Sequence, residues 1–271
     1  MNKNVLYVIQ LIVLTLSISL FFSCKQKTKN LKNTNIEAKS DIEFQSEIGE
    51  LTSENVQKFL QKNAVSKNYN GFFNYGDGVW LQVYNIKGFK VSDIEWLKKY
   101  IPSISSFITV VELKNTPELV YLFPDSKRID FYNYESQVQE LDLSTVPSQC
   151  ENLICKDYKL LNLNSISNLQ TLKAIDFKCT LHEFKQVKNE NLKYIGIELN
   201  PEEDFDCEDV LKFPNLEELH IYACSEIKNI SSLKYLNLKK IQIFQEEKLN
   251  MYQDELNDLK KNLNNLIIYS N

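Results

Sequence analysis

The stretch that decides the fold is Leu192-Lys193-Tyr194-Ile195-Gly196-Ile197-Glu198-Leu199-Asn200. It is matched 24 residues on by Leu216-Glu217-Glu218-Leu219-His220-Ile221-Tyr222-Ala223-Cys224. In both, apolar side chains stand at the first, fourth and sixth positions, and a non-apolar residue stands at the fifth. Alternation over so few residues describes a short strand with one buried face. The same apolar-x-x-apolar-x-apolar spacing starts at Ser126, Cys150, Leu172, Leu192, Leu216, Leu238 and Leu263, at intervals of 24, 22, 20, 24, 22 and 25 residues. Of the 21 marked positions, 20 are apolar or cysteine, with Ser126 the exception. At the background of 43% hydrophobic residues, about nine would be expected, so the period belongs to the chain.

A unit of 20–25 residues cannot bury its own strand face, because ordering it costs on the order of 1.5 kcal/mol per residue. Stacked units share a core, so the period implies a solenoid. The pattern resembles the leucine-rich repeat, LxxLxLxxN or its cysteine variant. Leu192 to Asn200 and Leu263 to Asn271 carry the full form, and Leu216 to Cys224 carries the variant. The lead-ins Ile166-x-x-Leu169-x-x-Leu172 and Phe213-Pro214-Asn215-Leu216 fit as well. The asparagine is replaced by Tyr134, Tyr158, Thr180 and Glu246, where the buried amide that normally bonds loop backbone is lost and less regular turns are expected. The resemblance implies an α/β solenoid with a parallel sheet on its concave face, and a general role in recognising proteins.

Outward from the repeats, residues 104–271 form the repeat domain and 51–103 an N-terminal α/β cap. Within the cap, Ser53–Asn63 reads as a helix and Trp80–Ile86 as a strand. Ser92-Asp93-Ile94-Glu95 reads as a capping box opening a helix through Tyr100 that stops before Pro102. Gly78-x-x-Leu81-x-Val83 and Ile108-x-x-Val111-x-Leu113 read as degenerate first repeats, and 249–262 as a helix with Leu249, Tyr252, Leu256 and Leu259 on one face. Residues 24–50 are polar and without period, the composition of a flexible tether.

The first 23 residues read as an address. Lys3 precedes the apolar run Val5–Phe22, which ends at Ser23-Cys24 and the basic Lys25-Gln26-Lys27. Phe21-Phe22-Ser23-Cys24 resembles a bacterial lipoprotein signal. The resemblance implies cleavage, acylation of Cys24, and a chain held on a membrane in the cell envelope outside the cytoplasm.

Composition excludes several chemistries. There are 6 Gly among 271 residues, with no GxGxxG and no P-loop. Net charge is −5 and Arg128 is the only arginine, which argues against nucleic acid as a partner. Of the six cysteines, Cys150, Cys155 and Cys224 take inward repeat positions while Cys179 and Cys207 fall outside them, with no CxxC, so a structural role is expected. His220 faces outward between strand neighbours Gly196 and Gln242, which supply no nucleophile, and His182 lies in a return segment. Pro201–Asp209 holds six carboxylates without the spacing or glycine of a calcium loop. Neither a catalytic group, nor a metal, nor a cofactor is expected. What remains is an aromatic stripe: Tyr222, Phe244 and Tyr269, each two residues past the central outward position of consecutive strands, with Tyr194 and His220 on the same face. Exposed aromatic groups on a sheet are the expected binding site for a protein partner or, as the alternative, a glycan.

Overall fold

The computed structural model describes residues 49–63, 69–75, 78–84, 91–244, 250–263 and 266–270. The signal segment, Cys24 and the tether lie outside the described residues. No described helix is long and apolar enough to cross a membrane. In chain order the elements are α1 (Ser53–Asn63), β1 (Tyr69–Tyr75), β2 (Gly78–Tyr84), α2 (Val91–Ile104), β3 (Ile108–Lys114), β4 (Arg128–Tyr132) and β5 (Gln139–Asp142). There follow β6 (Asn152–Lys156), β7 (Tyr158–Leu161), β8 (Ala174–Lys178), α3 (Leu181–Gln186), β9 (Tyr194–Glu198), β10 (Phe205–Asp206), β11 (Glu218–Ala223) and β12 (Ile227–Lys228). The last are β13 (Lys240–Ile243), α4 (Gln253–Asn262) and β14 (Ile267–Ser270). Short 3-10 segments such as Leu163–Asn168 and Ile230–Tyr235 supply most other returns.

One sheet runs β1-β2-β3-β4-β6-β8-β9-β11-β13-β14. β1 is antiparallel to β2, and every later neighbour is parallel. Two short parallel pairs, β5 with β7 and β10 with β12, lie in the return segments. Each strand is followed by its return and then by the next rung, which makes the fold a leucine-rich-repeat solenoid. The degenerate repeats are rungs too: Leu81 stands opposite Val111, and Val111 opposite Ile129.

Register explains the core. Val111, Ile129, Leu153, Ile175, Ile195, Leu219 and Ile241 form one inward row. Leu113, Phe131, Cys155, Phe177, Ile197, Ile221 and Ile243 form the next, and no member of either row is more than 2% exposed. Each buried side chain of this size contributes roughly 1.5–3 kcal/mol, and in a stack both neighbouring rungs supply the burial. Ser126 sits in a third inward row and is fully buried; its hydroxyl donates to the Ile108 carbonyl at 2.8 Å, which removes the penalty of a polar group there. All five described cysteines are buried, Cys179 and Cys207 included, and they form no disulfide with one another.

Four expectations change. α2 does not stop before Pro102 but runs through it; Ile101 and Ile104 are fully buried, and packing holds the last turn although proline removes one backbone bond. At the repeat that starts at Ser126 the bridging amide belongs to Asn133, one position before Tyr134, with Nδ2 donating to the carbonyls of Gln137 at 2.9 Å and Asp157 at 3.0 Å. Asn200, in the expected place, donates instead to the Glu203 carboxylate at 2.9 Å. The last rung is offset by two residues. Ile268 stands opposite Ile241 and Tyr269 opposite Gln242, where the repeat spacing puts Leu266 opposite Ile241. The helical end is the cause: Leu263 N–H bonds the Leu259 carbonyl and Leu266 N–H bonds the Leu263 carbonyl, so both leucines are used in closing α4.

Candidate functional site

The open face of the sheet presents three outward rows. The central row reads Glu112, Asp130, Ile154, Asp176, Gly196, His220 and Gln242 across β3 to β13, and the backbone of Tyr269 in β14 stands opposite Gln242. Gly196 leaves a gap in this row. A Cβ there would lie 2.8 Å from Asp176 Cγ and 2.9 Å from the Tyr194 hydroxyl. The glycine is therefore required by space, and three strands converge above it.

β11 contributes through a bulge. Ile221 pairs with Ile197, but Ala223 pairs with Glu198, so Tyr222 is an extra residue. A bulge re-aims its side chain. Here the Tyr222 hydroxyl reaches across β9 and donates to Asp176 Oδ2 at 2.6 Å. The Tyr194 hydroxyl lies 3.3 Å from the same oxygen, 3.2 Å from the Tyr222 oxygen and 3.1 Å from His220 Nδ1. It has one proton for these neighbours, so His220 completes the network by donating or accepting according to its tautomer. From β6, the Lys156 ammonium pairs with Asp176 Oδ1 at 2.5 Å and sits 4.2 Å from the Tyr222 ring centroid. Phe244 closes the cluster, 4.5 Å from the Tyr222 ring and 5.9 Å from His220.

The electrostatics follow from burial. Burial first, then the bond to Asp176, pushes the Tyr222 phenol up to about 12. Burial likewise raises Tyr194 far above the ordinary phenol range. Burial, seconded by the Lys240 charge, holds His220 below the usual imidazole value, so its neutral form is favoured. His220 Nε2 has no hydrogen-bond partner among the described residues; Glu218 Oε2 lies 3.8 Å away.

Of the expected site residues, Tyr194, His220, Tyr222 and Phe244 meet in one connected cluster. Tyr269 does not extend the row of Phe244, because the two-residue offset moves its backbone into the central row; its side chain lies outside the described residues. The aromatic groups also pack on one another, the ordinary cross-strand alternative to a free binding stripe. Sequence reasoning missed Asp176, which anchors the cluster, and Lys156. A carboxylate at the central position beside a glycine rung was the one available signal.

Toward β3 the face is charged. Burial raises both Glu112 and Asp130. Gln82 and Lys114 bond Glu112, and Arg128 grips Asp130 with Nε at 2.9 Å and Nη2 at 2.9 Å. Between this region and the aromatic cluster lies a hollow of about 480 Å³ lined by Asn152, Ile154, Ala174, Asp176 and Tyr194, with Lys193, Glu217 and Glu218 along one side. A second hollow of about 690 Å³, lined by Tyr134, Val138, Tyr158 and Cys179 among others, lies where the loops after β4, β6 and β8 come together. The acidic run takes up its carboxylates in turns: Glu203 accepts from Leu181 N–H, Asp206 from Glu208 N–H, and Asp204 pairs with Lys228.

No protein-family profile matches the chain, and no curated protein is detectably similar. Solved structures do match. An internalin C2 from Listeria monocytogenes is 15% identical with a TM-score of 0.42, over 71% of this chain and 80% of that one. An internalin (inlF) from the same organism is 16% identical with a TM-score of 0.42, over 80% of this chain and 74% of that one.

Proposed function

We propose that the protein is a non-catalytic binding scaffold that engages a protein partner through the concave face of its sheet, held at the cell envelope by a lipid on Cys24. The cluster of Tyr194, His220, Tyr222 and Phe244 around Asp176 carries this reading. Tyr194, Tyr222 and Phe244 are only partly buried on an open face. Aromatic groups held by neighbours in this way enter an interface with little conformational entropy to lose. A nucleophile within reach of His220 would support an enzymatic reading, but the groups around it are phenols held above their ordinary range.

The test is capture from an envelope extract by the purified protein, compared with a variant carrying Tyr222→Ala and Phe244→Ala. Loss of a protein partner in the variant is expected. Tyr222→Phe accompanies it, since the Asp176 bond gives Tyr222 a share in stability. Unaltered capture removes the cluster from the interface, and retention on a sugar array without protein capture replaces the partner by a glycan. Metabolic labelling with an alkyne fatty acid should mark the parent and not Cys24→Ser.

A further inference from the structure

The residue immediately before each strand of the main sheet from β4 to β13 is charged: Lys127, Glu151, Lys173, Lys193, Glu217 and Lys239. The backbone holds the six in one row. The Lys127 carbonyl accepts from the N–H groups of Glu151 and Asn152, and the Glu151, Lys173, Lys193 and Glu217 carbonyls repeat this pattern at the next rungs. Six consecutive rungs, about 4.8 Å apart, therefore carry a rail of charge along one lip of the concave face. Glu151 lies between Lys127 at 4.0 Å and Lys173 at 2.6 Å. Glu217 lies between Lys193 at 3.2 Å and Lys239 at 2.5 Å. Lys173 and Lys193 stand side by side on adjacent rungs with no carboxylate between them in the row.

The rail is positive where the rest is not. Four lysines face two glutamates, and the lysine side chains are the more exposed, 56–65% against 28–29%. The outward positions of β3 to β13 carry five cations and five carboxylates, so the face itself is balanced. The rail's excess of two positive charges stands on a chain of net charge −5. The 480 Å³ hollow opens against it, with Lys193 and Glu217 in its lining and the apolar Ile154 and Ala174 among its other walls. It exists because Ala174 stands in a row whose neighbours are Asn152 and Tyr194.

We propose that rail and hollow together receive an acidic segment of a partner protein, one apolar side chain entering the hollow while its carboxylate neighbours lie along the lysines. The inference rests on the concave-face reading and narrows the partner to an acidic polypeptide. The apolar wall favours a side-chain anchor over an acidic polysaccharide, which offers none.

The test uses the whole purified protein and labelled short peptides with a central leucine flanked by glutamates, by serines or by lysines, with polygalacturonate as the acidic glycan. The glutamate-flanked peptide should bind best and weaken as ionic strength rises to physiological values. Lys173→Glu with Lys193→Glu should weaken it about tenfold or more, and Ala174→Leu, which fills the hollow, should weaken it without changing its salt dependence. Lys173→Gln with Lys193→Gln gives the neutral comparison, and circular dichroism confirms that each variant is folded. Absence of binding, equal binding of all flanks, or binding of polygalacturonate alone overturns the inference. Envelope capture that survives the lysine reversals but is lost in the aromatic variant overturns it while leaving the proposed function standing.

Discussion

Replacing Gly196 by alanine tests the arrangement of the cluster most directly. The added Cβ would lie 2.8 Å from Asp176 Cγ and 2.9 Å from both Asp176 Oδ2 and the Tyr194 hydroxyl. Ordinary contact begins near 3.5 Å, so these atoms must retreat by about 0.6 Å. They have little room to do so. Asp176 is held by Lys156 at 2.5 Å and Tyr222 at 2.6 Å, and Tyr194 by His220 at 3.1 Å. Overpacking costs about 1–3 kcal/mol, and a weakened hydrogen bond to a charged group adds about 1.5 kcal/mol. Restricting the unfolded chain offsets about 0.4–1 kcal/mol. The net is a loss of about 3 kcal/mol, a melting point lower by roughly 6–12 °C for a domain of this size. Calorimetry on the parent, Gly196→Ala, Tyr194→Phe and the double variant reads it. Without the hydroxyl, one of the three close contacts vanishes, so the alanine should cost less in the phenylalanine background, by about 0.5 kcal/mol or more. An alanine variant as stable as the parent, or strictly additive costs, would refute the claim that Gly196 makes room for this network.

Asn189 is 6% exposed, and its amide donates to the carbonyls of Ile166 at 2.8 Å and Leu169 at 2.9 Å while accepting from Asn191 N–H at 2.9 Å. Asn189→Ala strands these groups and should cost about 2–3 kcal/mol, seen as a lower urea midpoint with an unchanged slope. His220 binds a proton less readily folded than unfolded, so the unfolded state takes up more protons as pH falls. Its contribution is complete above the unfolded value near 6.5 and is lost below it. His220→Gln should flatten the stability profile just under pH 6.5; parallel profiles for parent and variant would count against the burial of His220.

How much of this could be read from the chain differs by residue. The inward rows were legible because a strand's side chains alternate with period two and the repeat multiplies the signal sevenfold. The last rung shows the limit. Leu266 and Ile268 were correctly assigned to one face, since an offset of two residues preserves parity. The rung partner was misjudged because the end of α4 takes up Leu263 and Leu266, a matter of how helix and strand share a connection. Pro102 shows the same limit, where buried Ile101 and Ile104 outweigh a local breaker.

The cluster that forms the candidate site was legible in its members and illegible in its centre. Tyr194, His220, Tyr222 and Phe244 follow from repeat position alone. Asp176 does not, because its partners come from β6, β9 and β11 and meet it only through the gap at Gly196 and the bulge at Tyr222. The charged rail is in the sequence, as the second position of the first six repeats, yet its excess becomes visible only when the rungs are laid side by side.

The repeat period dictates that short strands stack in parallel with these apolar faces inward, since stacking is how a unit this short buries side chains spaced in this way. Which outward side chains meet is settled by the folded arrangement of the rungs. Neighbouring strands bring residues some twenty positions apart to within about 5 Å, and bulges, gaps and connections, rather than the repeat itself, settle which of them touch.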